Sequence, residues 1–140
     1  MKWFLEPRGV GLFVEQLPPE GVASSAGGVA QGDDHVGDAA KVDQVAGLGP
    51  VLVHKDSIVH YDHRLTARLE QIAWEEGIPI QHAVFGSFGS DGAALMQADI
   101  PAALVAFPAR YTHTPFETGH LGDIEALTEW MCALVRKGLG

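Results

Sequence analysis

Residues 49–54 read Gly49-Pro50-Val51-Leu52-Val53-His54, and this short run decides the fold. Gly-Pro interrupts whatever precedes it, and a brief apolar run rich in β-branched residues reads as a buried strand. A helix follows, because Leu65, Leu69, Ile72 and Ala73 stand at i, i+4, i+7 and i+8. Asp62 is placed as its N-cap, and Gly77 can take the left-handed position that ends it. Residues 80–85 give a second strand, and Ser90-Asp91-Gly92 opens a short alanine-rich helix ending near Asp99, with Ser90 or Asp91 as its cap. Residues 102–107 give a third strand. A polar loop then leads to a last helix, capped by Asp123 and burying Ile124, Leu127, Met131, Leu134 and Val135, while Arg136 and Lys137 complement its C-terminal dipole.

Alternation of this kind requires a mainly parallel or mixed sheet with helices packed on its faces, an α/β fold in three α/β/α layers. Functional residues of such sheets gather beyond the strand ends. That directs attention to residues 85–92 and 108–122.

Upstream of Gly49 the pattern fades. All eleven aromatic residues lie at Trp3, Phe4, Phe13 or from Tyr61 onward, and residues 21–50 hold seven glycines and six alanines. So little side-chain area is available there that one conformation is hard to stabilise. Short strands are expected only at 11–15 and 29–31. The chain therefore divides into a poorly structured or divergent segment, 1–46, and an ordered part, 47–140.

Charge narrows the function classes. The 140 residues carry 9 Lys+Arg against 18 Asp+Glu, a formal net charge of −9, with no basic cluster. Nucleic acids and anionic membranes need a concentrated positive field, so neither is an expected partner. No run reaches the roughly 18 apolar residues of a membrane helix, and the start is too short in apolar residues for a signal peptide. Cys132 is the single cysteine, so an intrachain disulfide is impossible and a reducing cytoplasm is the expected location. Its place among apolar helix positions reads as burial.

The loop Pro108-Ala109-Arg110-Tyr111-Thr112-His113-Thr114-Pro115-Phe116-Glu117-Thr118 places an imidazole just past an apolar strand. There it serves either as a ligand for zinc, cobalt or a similar ion or as a hydrogen-bonded loop histidine. Arg110 either pairs with a carboxylate, including one on a substrate, or braces the loop.

Several stretches then act together: Gly49-Pro50-Val51, His60-Tyr61-Asp62-His63, Gly77-Ile78-Pro79 with Gln81, Gly89-Ser90-Asp91-Gly92, Ile100-Pro101 and Arg110-Tyr111-Thr112-His113-Thr114-Pro115-Phe116-Glu117. Their order resembles the C-terminal part of the dinuclear-metal aminopeptidases of metallopeptidase family 42, from about Gly47 onward. The resemblance implies half of a zinc-peptidase-like catalytic domain that removes N-terminal residues from peptides with two divalent ions, zinc or cobalt. It implies His113 as a metal ligand, and Asp91 and Gly92, with Arg110, as borders of the substrate pocket. A family ligand aspartate falls between 25 and 38. Counting back from Gly49 puts it near Gly27, with Asp33 matching a non-coordinating aspartate, whereas a small gap makes Asp33 or Asp34 the ligand.

The family's first His-x-Asp and its Glu-Glu pair have no counterpart before Gly49, where His35 is the only histidine and Glu6, Glu15 and Glu20 stand apart. A miniature set, His60-x-Asp62, Glu75-Glu76, Asp91 and His113, repeats the ligand order. It is set aside because Asp62 suits a helix cap and Glu75-Glu76 a solvated helix end. The expectation is a truncated member with at most part of a metal site and little activity alone, with retention of its metal left open. The alternative is a non-catalytic module that self-associates or docks on a complementary half-domain or an intact relative.

Overall fold

The computed structural model describes the backbone of residues 11–17 and, with side chains, residues 44–86, 89–111 and 115–139. The elements are β1 (Gly11–Leu17), β2 (Val51–Lys55), α1 (His63–Glu76), β3 (Gln81–Val84), α2 (Gly92–Gln97), β4 (Ala102–Arg110), β5 (Thr118–Gly119) and α3 (Leu121–Lys137). The order read from residue 49 onward is observed, with the two-residue β5 added between β4 and α3. The strand expected at 29–31 lies outside the described residues.

The sheet is mixed, in the order β1-β4-β2-β3. β1 runs parallel to β4 and β3 parallel to β2, whereas β2 and β4 are antiparallel. Alternation along β2 and β4 sends side chains to two cores. Leu52, Ala103 and Val105 pack with Leu65, Leu69 and Ile72 of α1 and Leu127, Trp130 and Leu134 of α3. Val51, Val53, Leu104 and Ala106 pack on the other face with Tyr61, Phe85 and, from α2, Leu95 and Met96. Helices thus cover both faces, the three-layer arrangement read from the sequence. Among the described residues no helix is long and apolar enough to cross a membrane.

α1 follows its sequence signals closely. Asp62 Oδ1 accepts from the Arg64 and Leu65 amides at 2.9 and 3.0 Å. Gly77 adopts φ 67° and donates back to Trp74, and Ile78 donates to the Ala73 carbonyl at 2.9 Å. Asp62→Ala is expected to destabilise the protein by about 1 kcal/mol, the usual cost of a lost N-cap, measured as a lower urea midpoint at unchanged slope.

Four expectations are corrected. The last helix starts at Leu121 with His120 at the cap position, and Asp123 lies in its first turn. Asp123 is 1% exposed, and its carboxylate accepts from the Gly47 and Gly49 amides at 2.8 and 2.9 Å. The helix is accordingly rotated: Trp130 and Ala133 join Leu127 and Leu134 inside, Met131 is partly buried, and Ile124 and Val135 face out. Cys132 also faces out, because the inward stripe passes through its neighbours Trp130 and Ala133. Finally, β4 runs on through Pro108 to Arg110. β2 stops pairing at Ala106, so a residue without an N–H is tolerated beyond that point.

Gly49 allows the close approach that brings the chain into β2. Its φ is +99°, and a Cβ there would lie 2.1 Å from the Pro79 carbonyl oxygen. Gln81 completes the stitching, donating to the Val45 and Gly49 carbonyls and accepting from the Val45 amide.

Candidate functional site

The sheet presents two separate ends. At one, β4 finishes at the exposed Arg110, and Tyr111 takes φ 61°, a left-handed conformation uncommon for a side chain of its size. β5 then pairs back onto β4, Ala109 opposite Gly119 and Arg110 opposite Thr118. The same end carries the Gly47 to Gly49 turn held by Asp123, with His120 Nδ1 3.9 Å from the Asp123 carboxylate. Phe116 and Leu121 are exposed there, at 85% and 68%.

At the opposite end, where β2 finishes and β4 begins, a buried polar cluster forms around Asp56, which is fully enclosed. Asp56 Oδ1 accepts from the Ile58 and Val59 amides at 2.7 and 2.9 Å. Its Oδ2 accepts from the Tyr61 hydroxyl at 2.6 Å and the Ser90 amide at 3.1 Å. Tyr61 also hydrogen-bonds the Ser90 hydroxyl, whose oxygen accepts from the Gly92 amide at 3.1 Å. Burial by itself pushes the Asp56 carboxyl upward. The bonds from Tyr61 and from the Val59, Ile58 and Ser90 amides outweigh it and hold the group below the usual carboxylate range.

These contacts decide how the glycine-rich turn is built. Asp91 occupies the N-cap position of α2 but makes no side-chain cap bond. Ser90 does the capping and is anchored to Asp56 through Tyr61. Asp91 is exposed and Gly92 buried, the latter against Tyr61, whose ring a Cβ on Gly92 would meet at 2.8 Å.

The structure therefore brings Asp91 and Gly92 together and leaves Arg110 eight residues along β4 from Ala102, about 26 Å at 3.3 Å per residue. His113 and Asp33 lie outside the described residues. Of the miniature ligand set, Asp62 caps α1. Glu75 and Glu76 each lie 2.8 Å from Lys137 Nζ at the end of α3. Bonding to Lys137 holds both glutamates below their usual range and raises the lysine, so the pair is cross-linked rather than simply solvated. His54 engages neither His60 nor His63 through its ring but faces His82 across 2.8 Å. Among the described residues no group of three or more His, Cys, Asp or Glu could hold a metal ion, so no chemistry through a metal is assigned to them.

Asp56, Tyr61 and His82 escaped the reading of the sequence as interacting residues. Asp56 carried a signal, since Asp at the end of a strand followed by free amides two and three residues on is an Asx-turn pattern. Its longer link, to Ser90 across 34 positions, carried none.

The sequence profile of M42 glutamyl aminopeptidases matches residues 9–129. A protein of Acetivibrio thermocellus, named as a candidate aminopeptidase, is 33% identical over 92 residues, covering 61% of this chain and 28% of its own length. The crystal structure of the TET aminopeptidase from the marine sediment archaeon Thaumarchaeota archaeon SCGC AB-539-E09 superposes with a TM-score of 0.72 at 22% identity. It covers 90% of this chain and 32% of that one. The Pyrococcus horikoshii TET1 peptidase, described as assembling into a tetrahedron or a large octahedral shell, gives a TM-score of 0.61 at 26% identity over 89% of this chain and 31% of its own. The chain thus spans about a third of these structures and little more than a quarter of the curated relative.

Proposed function

The chain belongs to the M42 glutamyl aminopeptidase family, and from that premise we propose that it carries the C-terminal part of a metallo-aminopeptidase catalytic domain. The observation that carries the reading is the family profile running from residue 9 to residue 129, through β1 and into α3. The reaction proposed for the complete site is hydrolysis of the N-terminal residue of a peptide. His113 is the proposed metal ligand and Asp33 its carboxylate companion, with zinc or cobalt as the ion. Arg110, close to His113 in sequence, is proposed to meet the substrate, and Asp91 and Gly92 to form a separate border at the other end of β4. A cytoplasmic location and a division of the chain at residue 47 belong to the same proposal.

Alone, the chain is expected to hydrolyse little or nothing. One imidazole, even with one carboxylate, cannot hold two ions in the geometry that activates water. An aminopeptidase assay on the purified protein with added zinc, cobalt or manganese tests this. Turnover at background level is the expected result. Turnover abolished by His113→Ala would overturn the expectation of inactivity and place that histidine in a working site.

The second reading is a non-catalytic module that associates with its own kind or with a complementary half-domain. The shell-forming Pyrococcus horikoshii relative favours it, as do the exposed Trp74 and Phe116, at 82% and 85%. Sedimentation at increasing concentration is expected to show association, and a monomer at every concentration would remove self-association.

A further inference from the structure

His54 on β2 and His82 on β3 meet head-on. His54 Nε2 and His82 Nδ1 are 2.8 Å apart, the ring planes differ by 16°, and the centroids are 5.0 Å apart. That centroid distance is close to the N···N distance plus the two ring radii, so the facing nitrogens point at each other and not toward a third point where an ion could sit. Glu70 of α1 faces the far nitrogen of His82, with Oε1 3.7 Å from Nε2. Among the described residues β3 is the edge of the sheet and pairs only with β2. The cluster therefore joins β3, its neighbour β2 and the helix above them.

The proton inventory of this arrangement is short. A neutral imidazole has one N–H and one lone pair. With His82 Nε2–H turned toward Glu70, His82 Nδ1 accepts and His54 Nε2–H donates across the gap. One added proton leaves a single N–H and a single lone pair facing across the gap, whichever ring carries the charge, and the bond survives. A second must take that remaining lone pair, inside the gap, and sets N–H against N–H between two cations. We propose that His54, His82 and Glu70 form a clasp that fastens β3 to β2 and α1 while the imidazole pair is neutral or singly protonated, and that it opens when the pair takes a second proton.

The groups facing His54 are His82 from β3 and Glu70 from α1. Burial and then His82 hold its pKa below that of an ordinary histidine, and Glu70 offsets part of this. The unfolded chain therefore binds protons more readily at this position than the folded one. The clasp opens with the proton that His54 takes at this lowered pKa, so its stability is full above the ordinary histidine range and is lost as the pH falls through that range to the depressed folded value.

NMR titration of the imidazole signals on the whole chain, with amide exchange read at residues 81–84, tests the proposal. The two rings are expected to titrate as a coupled pair in two steps. Exchange at 81–84 should rise several-fold relative to the buried amides of α1 as the second step is crossed. His82→Gln should return His54 to a single step with a higher midpoint and abolish the rise. Glu70→Gln, at a half-exposed position that leaves both rings in place, should move the His54 midpoint down, and it serves as the folded variant if His82→Gln does not fold. Independent single-step titrations of His54 and His82 in the unmodified protein would overturn the clasp. Exchange at 81–84 that tracks the α1 amides at every pH would do the same.

Discussion

Trp130→Ala is expected to cost about 3–5 kcal/mol of unfolding free energy, the range for deleting a buried aromatic. Trp130 is fully buried where α3 crosses α1 over the sheet, packed in the cluster with Leu69, Ile72 and Val105. Its indole N–H donates to the Leu69 carbonyl at 2.9 Å, so one side chain supplies both the apolar bulk and the polar register between the two helices. A small domain has roughly 5–15 kcal/mol in total, so the variant should lose much of its cooperative transition. Urea unfolding followed by far-ultraviolet circular dichroism measures this. Trp130→Phe separates the contributions: it keeps most of the volume, gives up the donor, and should lose about 1 kcal/mol from the hydrogen bond, with a smaller packing loss added. A loss below about 1 kcal/mol for the alanine variant, far under the range for such sites, would mean that the helices do not meet through this residue.

Asp56→Ala should be the other severe change. It strands four donors, the Tyr61 hydroxyl and the Ile58, Val59 and Ser90 amides, around a fully enclosed position. Buried donors without partners cost on the order of 1–3 kcal/mol each, and those that can turn to water cost less, so a total of about 3 kcal/mol or more is expected. Asp56→Asn leaves one oxygen as acceptor and turns an NH₂ toward donors, so it should be intermediate. The pH dependence carries a distinct signature. Because the folded carboxyl is held below its ordinary value, its contribution is complete above the ordinary carboxylate range and is lost as the pH falls through the depressed folded value. The asparagine variant should lack that part of the acid sensitivity, which denaturation midpoints measured across the acid range would reveal. Equal acid slopes in the two proteins would show that Asp56 is not the group responsible.

The elements that were legible in the sequence are those whose signals are local. α1 has its cap, its stripe and its terminating glycine within sixteen consecutive positions, 62–77, and β2 announces itself through Gly-Pro and an apolar run. What escaped the reading depends on distant partners. Asp123 has the composition of an N-cap, yet it was drawn inside by two amides 76 and 74 residues earlier. That displacement carried the cap position to His120 and turned Cys132 outward. The histidine clasp joins positions 28 apart on different strands, and neither residue is remarkable in its own neighbourhood. Of the candidate site, the turn at Ser90 to Gly92 was legible as a cap, although the sequence left open which residue caps. The separation of that turn from Arg110 followed only from the antiparallel register of β2 and β4, which no local pattern encodes.

The tether from Asp123 to Gly47 and Gly49 also governs the order in which the molecule can take shape. The entrance to β2 is fixed by a carboxylate that leaves the ribosome more than seventy residues later. Loop-closure entropy of that length must be met before the contact contributes anything. During synthesis, Gln81 can engage Val45 and Gly49 once β3 has emerged, whereas the Gly47 and Gly49 amides wait for their carboxylate until the final helix follows.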